Sequence, residues 1–260
     1  IFLIKKFTRT PGTRHKVSIT SFGLNKKKFK LLKSFKKAYS GRNNTGSIVV
    51  RHQGFRSKRS YLHLDNCRIF SKNIAVVTTI TRDVHRSAFI SLIKYSCGSY
   101  SYILSAGGIT PGFFLRTLFR PVRFTTGYNL GYQILLGYMD IGDYVFNTEI
   151  NIGKGGIYAK SAGTFCRILH IDEEKKLVWL ILPTTKRICV SFYCTAVAGR
   201  VSNRSKLRTI AGKAGFNRKF GVRPSVRGVA MNPVDHPHGG RTKTNSPEVT
   251  PWNKIAKLRH

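Results

Sequence analysis

Residues 221–240, GVRPSVRGVAMNPVDHPHGG, constrain this chain more than any other stretch. Glycines, prolines, two arginines and a His-Pro-His follow one another there. They show neither the 3.6-residue period of a helix nor the alternation of a strand. Such a segment cannot build a hydrophobic core, so its shape is expected to come from a surface against which it lies.

The charge says what kind of surface. Lys and Arg number 46 against 10 Asp and Glu, a formal net charge of +36. A molecule so charged repels itself unless a polyanion neutralises it, and nucleic acid is the leading polyanion. A membrane is not expected as a partner, because no run of about 18 apolar residues is present. The 41% hydrophobic content supports real cores. Residues 1–60 hold 17 cations and no acid, residues 201–260 hold 13 cations with Asp235 and Glu248, and residues 61–200 hold 16 cations against eight acids. Two basic arms thus flank a more globular centre. The five cysteines include no CxxC pair, which argues against a disulfide scaffold and a zinc ribbon.

The expected organisation is a basic arm over 1–40, a first barrel over 41–120, a second over 121–200 and an irregular basic extension over 201–260. In the arm, Lys26-Lys27-Lys28-Phe29-Lys30 and Lys33-Ser34-Phe35-Lys36-Lys37 interleave cations with rings. Phe29, Phe35 and Tyr39 either stack on bases or form the apolar face of a short amphipathic helix. Strands are expected at 47–52, 61–64, 74–80, 87–95 and 99–104. This spacing suits a five-stranded OB-fold. Arg56, Lys58 and Arg59 fall on the loop between the first two strands, placed to meet phosphate. Residues 105–130 read as a linker. A second series at 143–150, 158–159, 164–170, 176–181 and 187–191 suits an SH3-like barrel, and glycines 153, 155, 156 and 163 allow close backbone approach to a ligand or another chain. Beyond Ala198 the helical candidate is 203–212.

Asp235-His236-Pro237-His238 admits three readings. His236 is a general base oriented by Asp235; or the two histidines ligate a metal, without a third ligand nearby; or the motif is structural, with proline and glycine fixing a tight backbone path. Gly153-Lys154-Gly155-Gly156 lacks the ending of a P-loop, and Lys154 either contacts phosphate or sits on a plain turn. The acids are too scattered for a carboxylate pair or a magnesium cluster.

Several segments together resemble the universal large-ribosomal-subunit protein 2 family. They are Gly41-Arg42-Asn43-Asn44-Thr45-Gly46 with Val50-Arg51-His52, Arg59-Ser60-Tyr61, Arg86-Ser87-Ala88, residues 147–156, Ala159-Lys160-Ser161-Ala162-Gly163-Thr164, Gly212-Lys213-Ala214-Gly215 and the whole 221–240 run. The resemblance spans roughly residues 30–255. It implies a mainly β protein: an OB-fold five-stranded barrel, then an SH3-like barrel, with basic extensions entering large-subunit rRNA near the peptidyl transferase centre. The implied rRNA-binding residues are Arg42, Asn43, Asn44, Arg51, His52, Arg56, Lys58, Arg59, Arg86, Lys154, Lys160, Lys213, Arg218, Arg223, Arg227, Asn232, His236, His238 and Arg241. His236, with Asp235, takes a supporting rather than a catalytic role. The implied partners are large-subunit rRNA, other ribosomal proteins, small-subunit rRNA at the subunit interface and nearby tRNA. No cofactor of its own, no resident metal beyond rRNA-associated Mg2+, no independent enzyme activity and no homo-oligomer are expected. The alternative class is an RNA-processing or RNA-modifying enzyme built on Asp235 and His236. After Gly240 the family continues Gly-Glu-Gly, whereas Arg241-Thr242-Lys243-Thr244 stands here. That departure and the divergent 105–130 segment point to a mitochondrial ribosome, with another organelle or the cytoplasm as the alternative.

Counterion release then governs the free protein. Its affinity for single-stranded RNA is expected to fall with salt by about 0.7 log units per log unit for each phosphate contacted, with little sequence preference at low salt. A salt titration with a flat slope would count against an electrostatic mode of binding.

Overall fold

The computed structural model describes residues 3–5, 10–20, 23–54, 56–68, 74–118, 130–240 and 247–256. Two compact units emerge: residues 1–36 with 58–213, and residues 37–57 with 214–260.

Every strand of the described residues lies in the first unit. In chain order these are β1 (Leu3–Lys5), β2 (Val17–Ile19), β3 (Lys33–Phe35), β4 (Ser60–Leu62), β5 (Ala75–Arg82), β6 (Phe89–Tyr95), β7 (Tyr100–Leu104), β8 (Phe114–Leu115), β9 (Thr117–Leu118), β10 (Gln133–Leu135), β11 (Tyr144–Phe146), β12 (Cys166–Asp172), β13 (Leu177–Ile181), β14 (Arg187–Ser191) and β15 (Thr195–Ala198). One sheet runs β7-β6-β5-β8 and a larger one β14-β13-β12-β11-β15-β10-β9, with β1-β2 and β3-β4 as separate pairs. The protein is mainly β and its sheets are curled, consistent with an OB-fold followed by an SH3-like barrel.

In β13 the pattern is the alternation of a half-buried antiparallel strand. Val178 and Leu180 are buried in the second core with Cys166, Ile168 and Val190, while Trp179 faces out. The β3-β4 pair covers the first sheet from outside, where Leu62 packs with Ile90, Leu92 and Tyr102, and Phe29 joins them. Phe146, Val197 and Val201 from the second barrel lie in one core with Ala75, Val77, Ile103 and Leu115 from the first. This shared core explains why the two barrels form one unit.

A polar seam reinforces it. The buried Arg68 donates from Nη1 to the Gly131 carbonyl at 2.9 Å, and Gln133 Nε2 donates to Thr195 Oγ1 at 2.8 Å and to the Cys67 carbonyl at 3.2 Å. Glu149 accepts from the N–H groups of Gly155 at 3.0 Å and Thr195 at 2.9 Å. Burial draws the Arg68 guanidinium down to about 10, and Tyr95 and Asp65 act in the opposite direction.

The structure departs from the sequence-based expectation in four places. Residues 47–52 form turns and bends in the second unit, not a barrel strand. Segment 33–35 of the arm is a strand, not a helix. The expected linker at 105–130 carries β8 and β9, where β8 pairs with β5 of the first sheet and β9 with β10 of the second; residues 119–129 lie outside the described residues. In place of the helix expected at 203–212 stands a 3-10 turn at Arg204–Arg208, and α1 (Gly215–Lys219) follows.

Because Phe146 is fully buried in the shared core, Phe146→Ala is expected to cost about 3–5 kcal/mol. A denaturant melt with an unchanged midpoint would show that the barrels do not depend on this core.

Candidate nucleic-acid interface

In the second unit no hydrophobic side chain of the described residues is buried. Its shape comes from backbone hydrogen bonds. The Gly41 carbonyl accepts from the N–H groups of Val49 at 2.9 Å and Val50 at 3.0 Å. Gly41 has φ +74, and a Cβ there would overlap the Val50 carbonyl oxygen, so only glycine closes this loop. Within the loop, Asn43 Oδ1 accepts from Thr45 N at 3.1 Å, Thr45 Oγ1 at 2.7 Å and Ser47 N at 2.9 Å. Asn43 therefore builds the loop, while Arg42, Asn44 and Arg51 project from it, exposed. Gly54 N–H donates to the Gly221 carbonyl at 2.7 Å and Arg223 N–H to the His52 carbonyl at 2.8 Å, tying this loop to the start of the 221–240 run. Arg218, Arg223 and Arg227 are exposed, Arg56 and His52 are half-buried, and Arg241 lies outside the described residues.

The run itself is a closed series of turns. Ala230 N–H bonds to Arg227, Met231 N–H to Gly228, Asp235 N–H to Asn232, Gly239 N–H to His236 and Gly240 N–H to Met231, at 2.9 to 3.1 Å. The expectation that its shape is supplied entirely from outside is thus corrected: local backbone bonds hold it. His236 is buried, and its Nδ1 accepts from His238 N–H at 3.0 Å. A neutral ring with Nδ1 occupied as an acceptor carries its proton on Nε2. Among the described residues no hydrogen bond joins the Asp235 carboxylate to this ring, so the base-and-orienter pair is not assembled. His238 Nε2 lies 3.0 Å from the Pro247 carbonyl, which anchors the tail rather than a metal. No group of three or more metal-ligating side chains occurs among the described residues.

In the first unit the cations divide by use. The Arg86 guanidinium pairs with Asp83, donates to Tyr61 Oη at 3.0 Å and the Leu62 carbonyl at 3.3 Å, and lies over the Tyr61 ring. It holds the β4 region through these bonds. Lys160 is exposed, yet partial burial and then the nearby Arg86 lower its pKa. Lys154 is exposed on a turn between Gly153 and Gly155. Gly155, Gly156 and Gly163 accommodate Cys67, Asn147 and Arg204 of this same chain, so their close approach serves the fold. Lys58 and Lys213 are exposed and Arg59 is half-buried.

The family-like Thr250-Pro251-Trp252 carries a Trp252 that is 69% exposed with the Arg51 guanidinium 5.4 Å from its ring, and sequence reasoning did not single out Arg200, held over both Tyr144 and Phe165. Nothing local marks Arg200.

Exposed cations on loops that hold their shape without an apolar interior, in a chain with two small barrels, define a protein built to bind a polyanion. The sequence matches "Ribosomal Proteins L2, RNA binding N-terminal domain" over residues 28–117 and "Ribosomal Proteins L2, C-terminal domain" over residues 129–253. It is 41% identical over 260 residues to the large ribosomal subunit protein uL2 of Rhodopseudomonas palustris (strain BisB18), covering 98% of this chain and 91% of that relative. It is 42% identical over 236 residues to the uL2 of Mycoplasma pneumoniae, covering 88% and 80%. The chain belongs to the ribosomal protein L2 family.

A Cβ at Gly228 would lie 2.5 Å from His236 Nδ1 and Cε1. Gly228→Ala is therefore expected to displace the ring and break its bond with His238 N–H, seen as a shift of the His236 ring resonances in an NMR spectrum of histidine-labelled protein. An unmoved ring would contradict this packing.

Proposed function

We propose that this chain is a structural constituent of the large ribosomal subunit. It binds large-subunit rRNA near the peptidyl transferase centre, supports subunit association and positions tRNA without catalysing a reaction itself. The observation that carries this reading is the second unit: a cation-bearing backbone scaffold with no buried apolar side chain among its described residues. Neutralisation of its arginines by phosphate supplies the affinity, and the preformed turns supply the placement. Other ribosomal proteins and small-subunit rRNA are its further partners, and Mg2+ there belongs to the rRNA. The departures after Gly240 and in 105–130 favour a mitochondrial ribosome. As sequence-level domains we propose an arm (1–40), an OB-fold (41–120), an SH3-like barrel (121–200) and an extension (201–260), with residues 37–57 grouped in the second compact unit.

Arg223 and Arg227 are exposed, whereas His236 is packed inside its turn. Arg223→Ala or Arg227→Ala is expected to weaken incorporation into large subunits more than His236→Gln does. Competition against tagged wild-type protein during assembly measures this. Incorporation of both arginine variants at wild-type level would overturn the reading, and recovery only with cytosolic ribosomes would remove the mitochondrial assignment.

A further inference from the structure

The rings of the basic arm and of β4, the strand paired with it, have different fates. Phe29 stacks on Tyr100, with centroids 5.1 Å apart, and packs on the Leu62 core. Tyr61 has Lys36 Nζ 3.9 Å and Arg86 Cζ 4.9 Å from its centroid, and its hydroxyl is bonded to Arg86. Both rings are committed to the fold. Phe35 is not: it is 56% exposed at the end of β3 and belongs to none of the hydrophobic cores. Lys33 Nζ and Lys58 Nζ lie 5.1 Å and 4.9 Å from its centroid. Both lysines are exposed, and the 60 N-terminal residues hold no acid to pair with them.

We propose that Phe35, Lys33 and Lys58 form a stacking site for one unpaired RNA base, the two ammonium groups taking the phosphates that flank it. This rests on the reading that the chain binds rRNA and adds a site to it. A base has a π-face to lay on the ring whatever its identity, and base–aromatic stacking is sequence-tolerant. The lysines sit on the ring while no phosphate is present, where the cation–π attraction at an exposed site is weak. They can exchange the ring for phosphate oxygens without rearranging β3 or β4. Two-sided use of this kind also explains why a large apolar ring is kept in water beside two charges.

The test is fluorescence anisotropy with the full chain and an end-labelled octamer of adenosine ribonucleotides. Inorganic polyphosphate, which has phosphates and no bases, serves as the second probe. Phe35→Ala is expected to weaken RNA binding about fivefold, the low end of one stacked base, and to leave polyphosphate binding and the melting temperature unchanged. Phe35→Trp should restore RNA binding. The double variant Lys33→Gln with Lys58→Gln should weaken both probes and lower the salt slope on RNA by about 1.4, two phosphates' worth. Equal RNA affinity of Phe35→Ala and wild type, or failure of Phe35→Trp to rescue, would overturn the stacking site. If Arg223→Ala and Arg227→Ala lose affinity while Phe35→Ala does not, this site alone falls. If the wild type does not bind RNA at all, the broader reading falls with it.

Discussion

Forty-six cations cannot be neutralised by ten carboxylates, and the rest of the structure is arranged around that deficit. The acids that the fold encloses are used for its own joints. Asp83 is buried against Arg86, Glu149 caps the N–H groups of Gly155 and Thr195, and Asp65 accepts from the N–H groups of Cys67 and Arg68. Only one other ion pair, the exposed Lys175–Asp172, occurs among the described residues. An exposed pair of that kind contributes little. Ten acids leave most of the 46 cations without a carboxylate of their own, and the folded chain presents a positive field that a polyanion must complete.

The two units answer this constraint differently. The first has enough apolar surface to close two curled sheets over a shared core, so its cations are carried by a frame that is stable in its own right. The second has no apolar burial among its described residues to set against repulsion. It substitutes short-range backbone bonds and glycines at contact points, such as Gly41 under Val50 and Gly239 against Asn232, which permit a tight path that any side chain would block. Such a scaffold specifies geometry without supplying much stability, which is the division of labour expected when the partner supplies the free energy.

Much of this was legible in the sequence. Charge asymmetry gave the partner class, and β-branched runs at 74–80, 87–95 and 176–181 gave strands near their observed places. The misreadings share a cause, because strand formation depends on pairing that one segment does not reveal. Residues 47–52 have the composition of a strand, but the Gly41 carbonyl captures the N–H groups of both Val49 and Val50 and bends them into a loop. Short strands such as β10 and β15 escaped notice because they are buried on both faces and lack alternation. The pairing of Arg86 with Asp83 three residues earlier was likewise not read from the sequence. In the arm the sequence could not decide between stacking and packing, and the structure splits the rings rather than choosing one fate for all.

His236 shows how the same logic bears on chemistry. A general base needs a free lone pair within reach of a substrate and a partner that orients it. Here Nδ1 is already engaged by His238 N–H, Gly228 presses on the ring, and the neighbouring carboxylate is turned to solvent. Glycine packing and a backbone bond therefore place the importance of this residue in the shape of the turn.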